Sequence, residues 1–177
     1  MQFDFKLKKY LDKKAEKDWQ LLKRPPQKKY DSFIIVPAKA ELKNIPQLLD
    51  SISNQKKDYL KKCLIIIVIN SSSDDSNKIV ENNNQTIKYL SDNVFNFDLS
   101  YVDATLPFKN SGVGLSRKIG GDLALNYCKE SSIICYTDAD VILSHDYLNK
   151  IIDYYGKHDC GCAIVGFKHQ KNNEPII

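Results

Sequence analysis

One stretch limits the possible folds more than any other. Leu64-Ile65-Ile66-Ile67-Val68-Ile69 is an unbroken apolar run dominated by β-branched residues. A strand with one wet face would alternate apolar and polar residues, so this one must be covered on both faces. With Cys63 it is strand-sized, far short of the roughly 20 apolar residues a membrane helix needs. A second run, Phe33-Ile34-Ile35-Val36, is stopped by Pro37. Shorter strand signals lie at residues 99–102, 133–136 and 163–167. Helical spacing separates them, over residues 44–53, 74–90, 115–128 and 146–155. In the first of these helices Ile45, Leu48, Leu49 and Ile52 share a face. The second is expected to be capped by Ser73 or Asp74. Its Glu81-Asn82-Asn83-Asn84 stretch reads as an exposed, poorly helical turn. Continuous apolar strands alternating with amphipathic helices predict an α/β domain, with a mostly parallel sheet covered by helices on both sides.

The chain has 177 residues, one domain's worth, and its 42% hydrophobic and 27% charged composition excludes wholesale disorder and fibrous repeats. A net charge of +4 is too mild to argue for nucleic acid. The excess is concentrated in residues 1–30, which include Lys6, Lys8, Lys9, Lys13, Lys14, Lys17, Lys23, Lys28 and Lys29. Within residues 3–23, Leu7, Leu11, Ala15, Trp19 and Leu22 recur at helical spacing. This predicts a basic amphipathic helix that packs on the domain or lies on an anionic membrane surface. Pro25-Pro26 ends it and links it to a domain over residues 31–177. Five cysteines with no secretory leader read as small buried hydrophobes in a reducing, cytoplasmic setting. Cys160-Gly161-Cys162 lacks the second pair that a zinc site would need.

In a parallel sheet, ligands bind beyond the carboxyl ends of the strands. Three polar clusters fall there: Pro37-Ala38-Lys39-Ala40-Glu41, Asn70-Ser71-Ser72-Ser73-Asp74-Asp75 and Asp138-Ala139-Asp140. Two carboxylates two residues apart at a strand end can share one hard cation and leave the rest of its shell to water and phosphate. Ser111-Gly112-Val113-Gly114, with Arg117, Gly120 and Gly121, opens a helix where backbone approach and the helix terminus suit an anion. Arg117 is one of two arginines, and its fork suits phosphate or a base carbonyl. Asn70 offers both a donor and an acceptor to a base edge.

A dinucleotide-binding dehydrogenase would need G-x-G-x-x-G where residues 37–41 stand, so that reading fails. A sugar-nucleotide pyrophosphorylase fails for want of a glycine-rich loop at the same place. An Asp-nucleophile phosphohydrolase fits Asp138-Ala139-Asp140-Val141 locally, but that class opens its domain with the motif, and here several strand–helix units precede it.

Four motifs in order resemble family 2 inverting glycosyltransferases of the GT-A fold. Val36-Pro37-Ala38-Lys39-Ala40-Glu41, with Leu48-Leu49-Asp50-Ser51-Ile52-Ser53-Asn54-Gln55, is similar to the family's V-P-A-Y-N-E and L-L-x-S-I-x-x-Q. Asn70-Ser71-Ser72-Ser73-Asp74-Asp75-Ser76 resembles its D-D-G-S-T-D-D. Residues 112–120 resemble its G-x-x-x-A-R-N-x-G, and Asp138-Ala139-Asp140 its D-A-D. The resemblance implies a three-layer, Rossmann-like domain and a nucleotide-sugar donor, UDP-sugars foremost. It also implies Mn²⁺ or Mg²⁺. Pro37, Ala38 and Glu41 would line the nucleoside pocket, with Asn70 at the base edge and Arg117 on base or diphosphate. Asp138 would lie near the ribose, and Asp140, with Asp138, would hold the metal. Two departures stand out: Lys39 where the family often has an aromatic residue, and Asn70 where it usually has Asp. The acceptor (saccharide, lipid-linked saccharide or protein) and the general base are not readable. Glu174 is the only carboxylate after Asp159 and is not assigned. The expected chain is a donor-binding portion, a fragment or a curtailed transferase. The alternatives are a truncated or degenerate module that binds donor without transfer, and the Asp-nucleophile phosphohydrolase.

Overall fold

A computed structural model describes residues 2–106, 112–166 and 168. The elements follow the order α1 (Gln2–Lys13), β1 (Tyr30–Ala38), α2 (Ile45–Ser53), α3 (Lys57–Leu60), β2 (Cys63–Ser72), α4 (Asn77–Asp92), β3 (Asp98–Leu106), α5 (Val113–Leu125), β4 (Cys128–Tyr136) and α6 (Tyr147–Lys157). The four strands form one sheet in the order β3-β2-β1-β4, and every pairing is parallel. β1 aligns with β2 from Ser32 opposite Cys63 to Ala38 opposite Ile69. On its other side β1 aligns with β4 from Ser32 opposite Ile133 to Ile35 opposite Tyr136.

The apolar run behaves as its composition requires. Ile65, Ile67 and Ile69 pack with Ile34 and Val36 against α2, α4 and α6. Leu64, Ile66 and Val68 pack with Phe33 and Ile35 on the opposite face, against α5. The result is the expected three-layer α/β/α arrangement. α5 comes so close to the sheet that a Cβ on Gly120 would lie 2.3 Å from Ile35 Cγ2 and 2.9 Å from Val68 Cγ2. Gly120 therefore serves helix-to-sheet packing rather than an anion.

Several elements differ from their sequence pattern. The helix expected over residues 3–23 ends at Lys13. Phe3 and Leu7 still pack on the α5 face, joined by Trp19 and Leu21 from the irregular segment that follows. That segment runs past β3, where the Leu22 N–H donates to the Tyr101 carbonyl at 2.9 Å and buried Ser100 Oγ donates to the Lys23 carbonyl. The edge strand thus captures backbone that helix periodicity alone would have kept coiled. β3 itself runs to Leu106, well beyond residue 102, because β2 pairs with it as far as Ser72 opposite Leu106. β4 starts at Cys128, and its polar first half is accommodated by a register shift against Tyr30 and Ser32. There Ser132 Oγ accepts from the Lys129 N–H at 2.7 Å and donates to the Tyr30 carbonyl at 2.6 Å.

Neither Ser73 nor Asp74 caps α4, whose N-cap position is Ser76. Asp75 Oδ2 instead accepts the Ser72 N–H at 2.7 Å, and Ser72 Oγ donates to Asp74. The polar stretch at residues 81–84 lies inside α4, and Asn83 is buried. The last expected strand does not form over residues 163–166, where Ile164 is 96% exposed; Phe167 lies outside the described residues. Apolar character alone, without pairing to a neighbouring strand, does not make a strand. Cys63, Cys128 and Cys135 are buried and free, and burial pushes the Cys63 thiol up to about 12. Cys160 is half-buried and Cys162 exposed. No helix among the described residues is long and apolar enough to cross a membrane.

Candidate functional site

The chain runs outward from β1 through β2 to β3, then crosses back to place β4 on the other side of β1. The strand order reverses between β1 and β4, the point at which such sheets open a crevice at their carboxyl ends. Pro37 and Ala38 end β1 there and are buried. Asp138 and Asp140 follow the end of β4, both exposed, with buried Ala139 between them. A hydrogen bond from the Thr137 N–H to the Ile35 carbonyl, at 3.1 Å, carries the pairing one residue past β4 and fixes where this turn begins.

Arg117 is the fifth residue of α5, at the start of its second turn rather than in its first. Its Nη2 lies 2.5 Å from Asp138 Oδ1 in a charge-assisted hydrogen bond. Its Nε is buried and has no hydrogen-bond partner among the described residues. The guanidinium is thus anchored through one arm and keeps a donor unused. Gly112 takes the N-cap position in extended conformation, and a Cβ on Gly112 or Gly114 would meet nothing within 4 Å. Ser111 lies outside the described residues. Gly121 makes room for Tyr136, the last residue of β4, whose hydroxyl oxygen would be 2.5 Å from an added Cβ.

Across β1, the loop after Ala38 turns through Ala40, which has a φ of 58°, the left-handed region. The half-buried Glu41 lies in the turn leading into α2: its carbonyl accepts from Asn44 and Ile45, and its Oε2 accepts from Asn44 Nδ2 at 2.6 Å. Lys39 Nζ reaches 2.6 Å from Asp75 Oδ1 and so bridges the ends of β1 and β2. The Lys39 hydrogen bond holds the Asp75 carboxyl below the ordinary carboxylate range. Asn70 is buried in the eighth position of β2, and its carbonyl accepts from Asn83 Nδ2 at 3.0 Å.

The structure therefore brings Pro37, Ala38, Glu41, Asn70, Arg117, Asp138 and Asp140 to one edge of the sheet, and directly joins Arg117 with Asp138. Sequence reading placed Asp75 in the polar cluster after β2 but missed Asn82 and Asn83. The two asparagines lie on the half-buried and buried side of α4, where apolar residues are the rule, and that break in pattern is the signal they carry. For a divalent cation the donor set is Asp138 and Asp140. Among the described residues no group of three or more His, Cys, Asp and Glu converges. Two hard oxygen ligands at a crevice fit an ion that keeps water and phosphate oxygens in its shell, as Mg²⁺ and Mn²⁺ do.

Solved structures with some likeness include S. aureus TarS in complex with UDP-GlcNAc. It is 20% identical, with 72% of this chain and 32% of that chain covered and a TM-score of 0.49. Another is the mannosyltransferase PcManGT from Pyrobaculum calidifontis in complex with GDP-Man and Mn²⁺, 22% identical, with 88% and 39% covered and a TM-score of 0.48. The chain spans about a third of the length of these structures. No curated protein matches it. The family model described as Glycosyl transferase family 2 matches residues 33–176, from the first core residues of β1 through Asn70, Arg117 and the Asp138-Ala139-Asp140 turn. On that span, which takes in all four motifs and the Rossmann-like sheet that carries them, the chain belongs to glycosyl transferase family 2.

Proposed function

We propose that the domain binds a nucleoside-diphosphate sugar, UDP-linked first among donors, and transfers the sugar to a hydroxyl acceptor with inversion. The observation that carries this is the half-engaged guanidinium of Arg117, paired with Asp138 beside Asp140 at the switch point of the sheet. An arginine with a spare buried donor, next to an acidic pair, suits a diphosphate that brings a divalent cation with it.

In this reading Pro37, Ala38 and Glu41 border the nucleoside, Asn70 faces the base and Asp138 the ribose. Asp140, with Asp138, holds Mn²⁺ or Mg²⁺, which when bound neutralises charge developing on the departing diphosphate. Arg117 adds fixed positive charge at the same place. The acceptor oxygen bonds to the anomeric carbon as the bond from that carbon to the diphosphate oxygen breaks. A carboxylate must take the acceptor's proton. Glu174 lies outside the described residues and is assigned no part in that step.

Titration calorimetry with UDP, with and without Mn²⁺, tests the donor site. Wild type is expected to bind only with metal, and Asp140→Ala to lose that binding. Equal, metal-independent binding by both proteins would remove the proposal. The proposed setting is cytoplasmic, with the lysine-rich α1 against an anionic membrane. Co-sedimentation with anionic liposomes at low salt is the expected result, and failure to co-sediment would dispose of the membrane contact.

A further inference from the structure

The loop that leaves β1 adopts a costly backbone conformation and is held there by an unusual pair of side chains. Ala40 has a φ of 58°. A residue with a Cβ is disfavoured in that region and persists there only when its surroundings impose it. What imposes it is α4. The Ala40 N–H donates to Asn83 Oδ1 at 2.8 Å, and the Leu42 N–H donates to Asn82 Oδ1 at 3.1 Å. The other end of the Asn83 amide donates to the Asn70 carbonyl at 3.0 Å. Asn83 is only 5% exposed, and its bond to the Asn70 carbonyl is made away from water, while the Ala40 and Leu42 bonds are partly buried. One amide therefore ties the loop after β1 to the end of β2. The Lys39–Asp75 ion pair closes the same two ends from the solvent side.

We propose that Asn82 and Asn83 are positioning residues for the nucleoside half of the donor. They fix residues 39–42 against Asn70 before any ligand arrives. This rests on the donor-site reading above and deepens it. A glycine at position 40 would have made the turn without strain. Ala40 with a buried clamp instead gives the loop a single conformation, so the nucleoside meets an edge already ordered. The diphosphate half lies with Arg117, Asp138 and Asp140, on the other side of β1, and does not depend on the clamp. The clamp thus separates two affinities that general loss of stability would lower together.

The test is calorimetry with UDP, GDP and inorganic pyrophosphate, each with Mn²⁺, on wild type, Asn82→Ala, Asn83→Ala and Asn83→Ala with Ala40→Gly. Thermal melts are run alongside. Asn82→Ala is expected to weaken nucleoside diphosphate about tenfold, the worth of one or two ordered hydrogen bonds, and to leave pyrophosphate unchanged. Asn83→Ala should lose more. Ala40→Gly should restore part of that loss, because glycine reaches the turn without the clamp. Where Asn83→Ala does not fold, Asn82→Ala alone decides the matter. Wild-type binding of UDP or GDP matched by a folded Asn82→Ala would overturn the clamp and leave the donor site standing. So would parallel losses for nucleotide and pyrophosphate. Wild type that binds neither nucleotide would overturn the donor site and the clamp's role together.

Discussion

The Lys39 ammonium is committed to Asp75. That carboxylate also accepts the Ser72 N–H, so it organises the turn after β2 as well as the link to β1. Because the folded-state pKa of Asp75 is depressed, its stabilisation is present above the ordinary carboxylate pKa and is lost as pH falls through the folded value. Asp75→Asn is therefore expected to be less stable than wild type at neutral pH and to match it in strong acid. Urea melts at the two pH values check this, and a pH-independent gap would contradict it. Gly120 makes a sharper case. Ala at this position would drive a methyl into Ile35 and Val68, both in the core, at an overpacking cost of about 1–3 kcal/mol. A chemical melt of Gly120→Ala reads that cost directly.

Among the elements, α5 has the most tasks. Its N-terminal part presents Arg117 to Asp138, and its body packs on β1 and β2. Its Asp122 gathers the N-terminal segment. That carboxylate is 5% exposed and accepts from Tyr10 Oη at 2.8 Å, from the Glu16 N–H at 2.9 Å and from Lys118 Nζ at 2.6 Å. Lys118 also donates to the Lys14 carbonyl at 2.7 Å. The Lys14 and Ala15 N–H groups still donate to the Tyr10 carbonyl, and the chain leaves the helix where the Lys14 carbonyl and the Glu16 N–H bond to α5 instead. Asp122→Ala should cost about 1–3 kcal/mol, since it removes the one acceptor shared by three partly buried donors. It should also open residues 14–23 to limited proteolysis. Unchanged stability with an unchanged cleavage pattern would show that apolar packing of Trp19 and Leu21 and the bonds to β3 hold the segment without Asp122.

At the scale of the whole molecule, the sheet has no wet face in its centre. Ile34 and Ile35 are neighbours in β1, point to opposite sides and are both 0% exposed. Ile34→Ala and Ile35→Ala should each lower stability by about 2–5 kcal/mol, the range for emptying a buried aliphatic site. Denaturant unfolding of the two variants measures this. A harmless change at either position would mean that one layer of the sandwich is loosely packed.

What the chain determines by itself is the architecture and which polar clusters gather at the carboxyl ends of β1, β2 and β4. The Leu64–Ile69 run needs burial on both faces, and only helices on both sides of a parallel sheet supply it, so the layers and the location of Pro37, Asn70 and Asp138 were legible from local pattern. Three things were decided only by tertiary structure. Helix periodicity in residues 3–23 gave way to bonds from Asp122 and the β3 edge, which local spacing cannot foresee. Residues 163–166 pair with neither edge strand of the sheet and make no strand. An asparagine run that reads as a weak turn became a buried clamp, because loop amides and the Asn70 carbonyl stood where only polar side chains could satisfy them. The common cause is that backbone hydrogen-bonding groups must find partners, and partners distant in sequence become known only when the chain has folded.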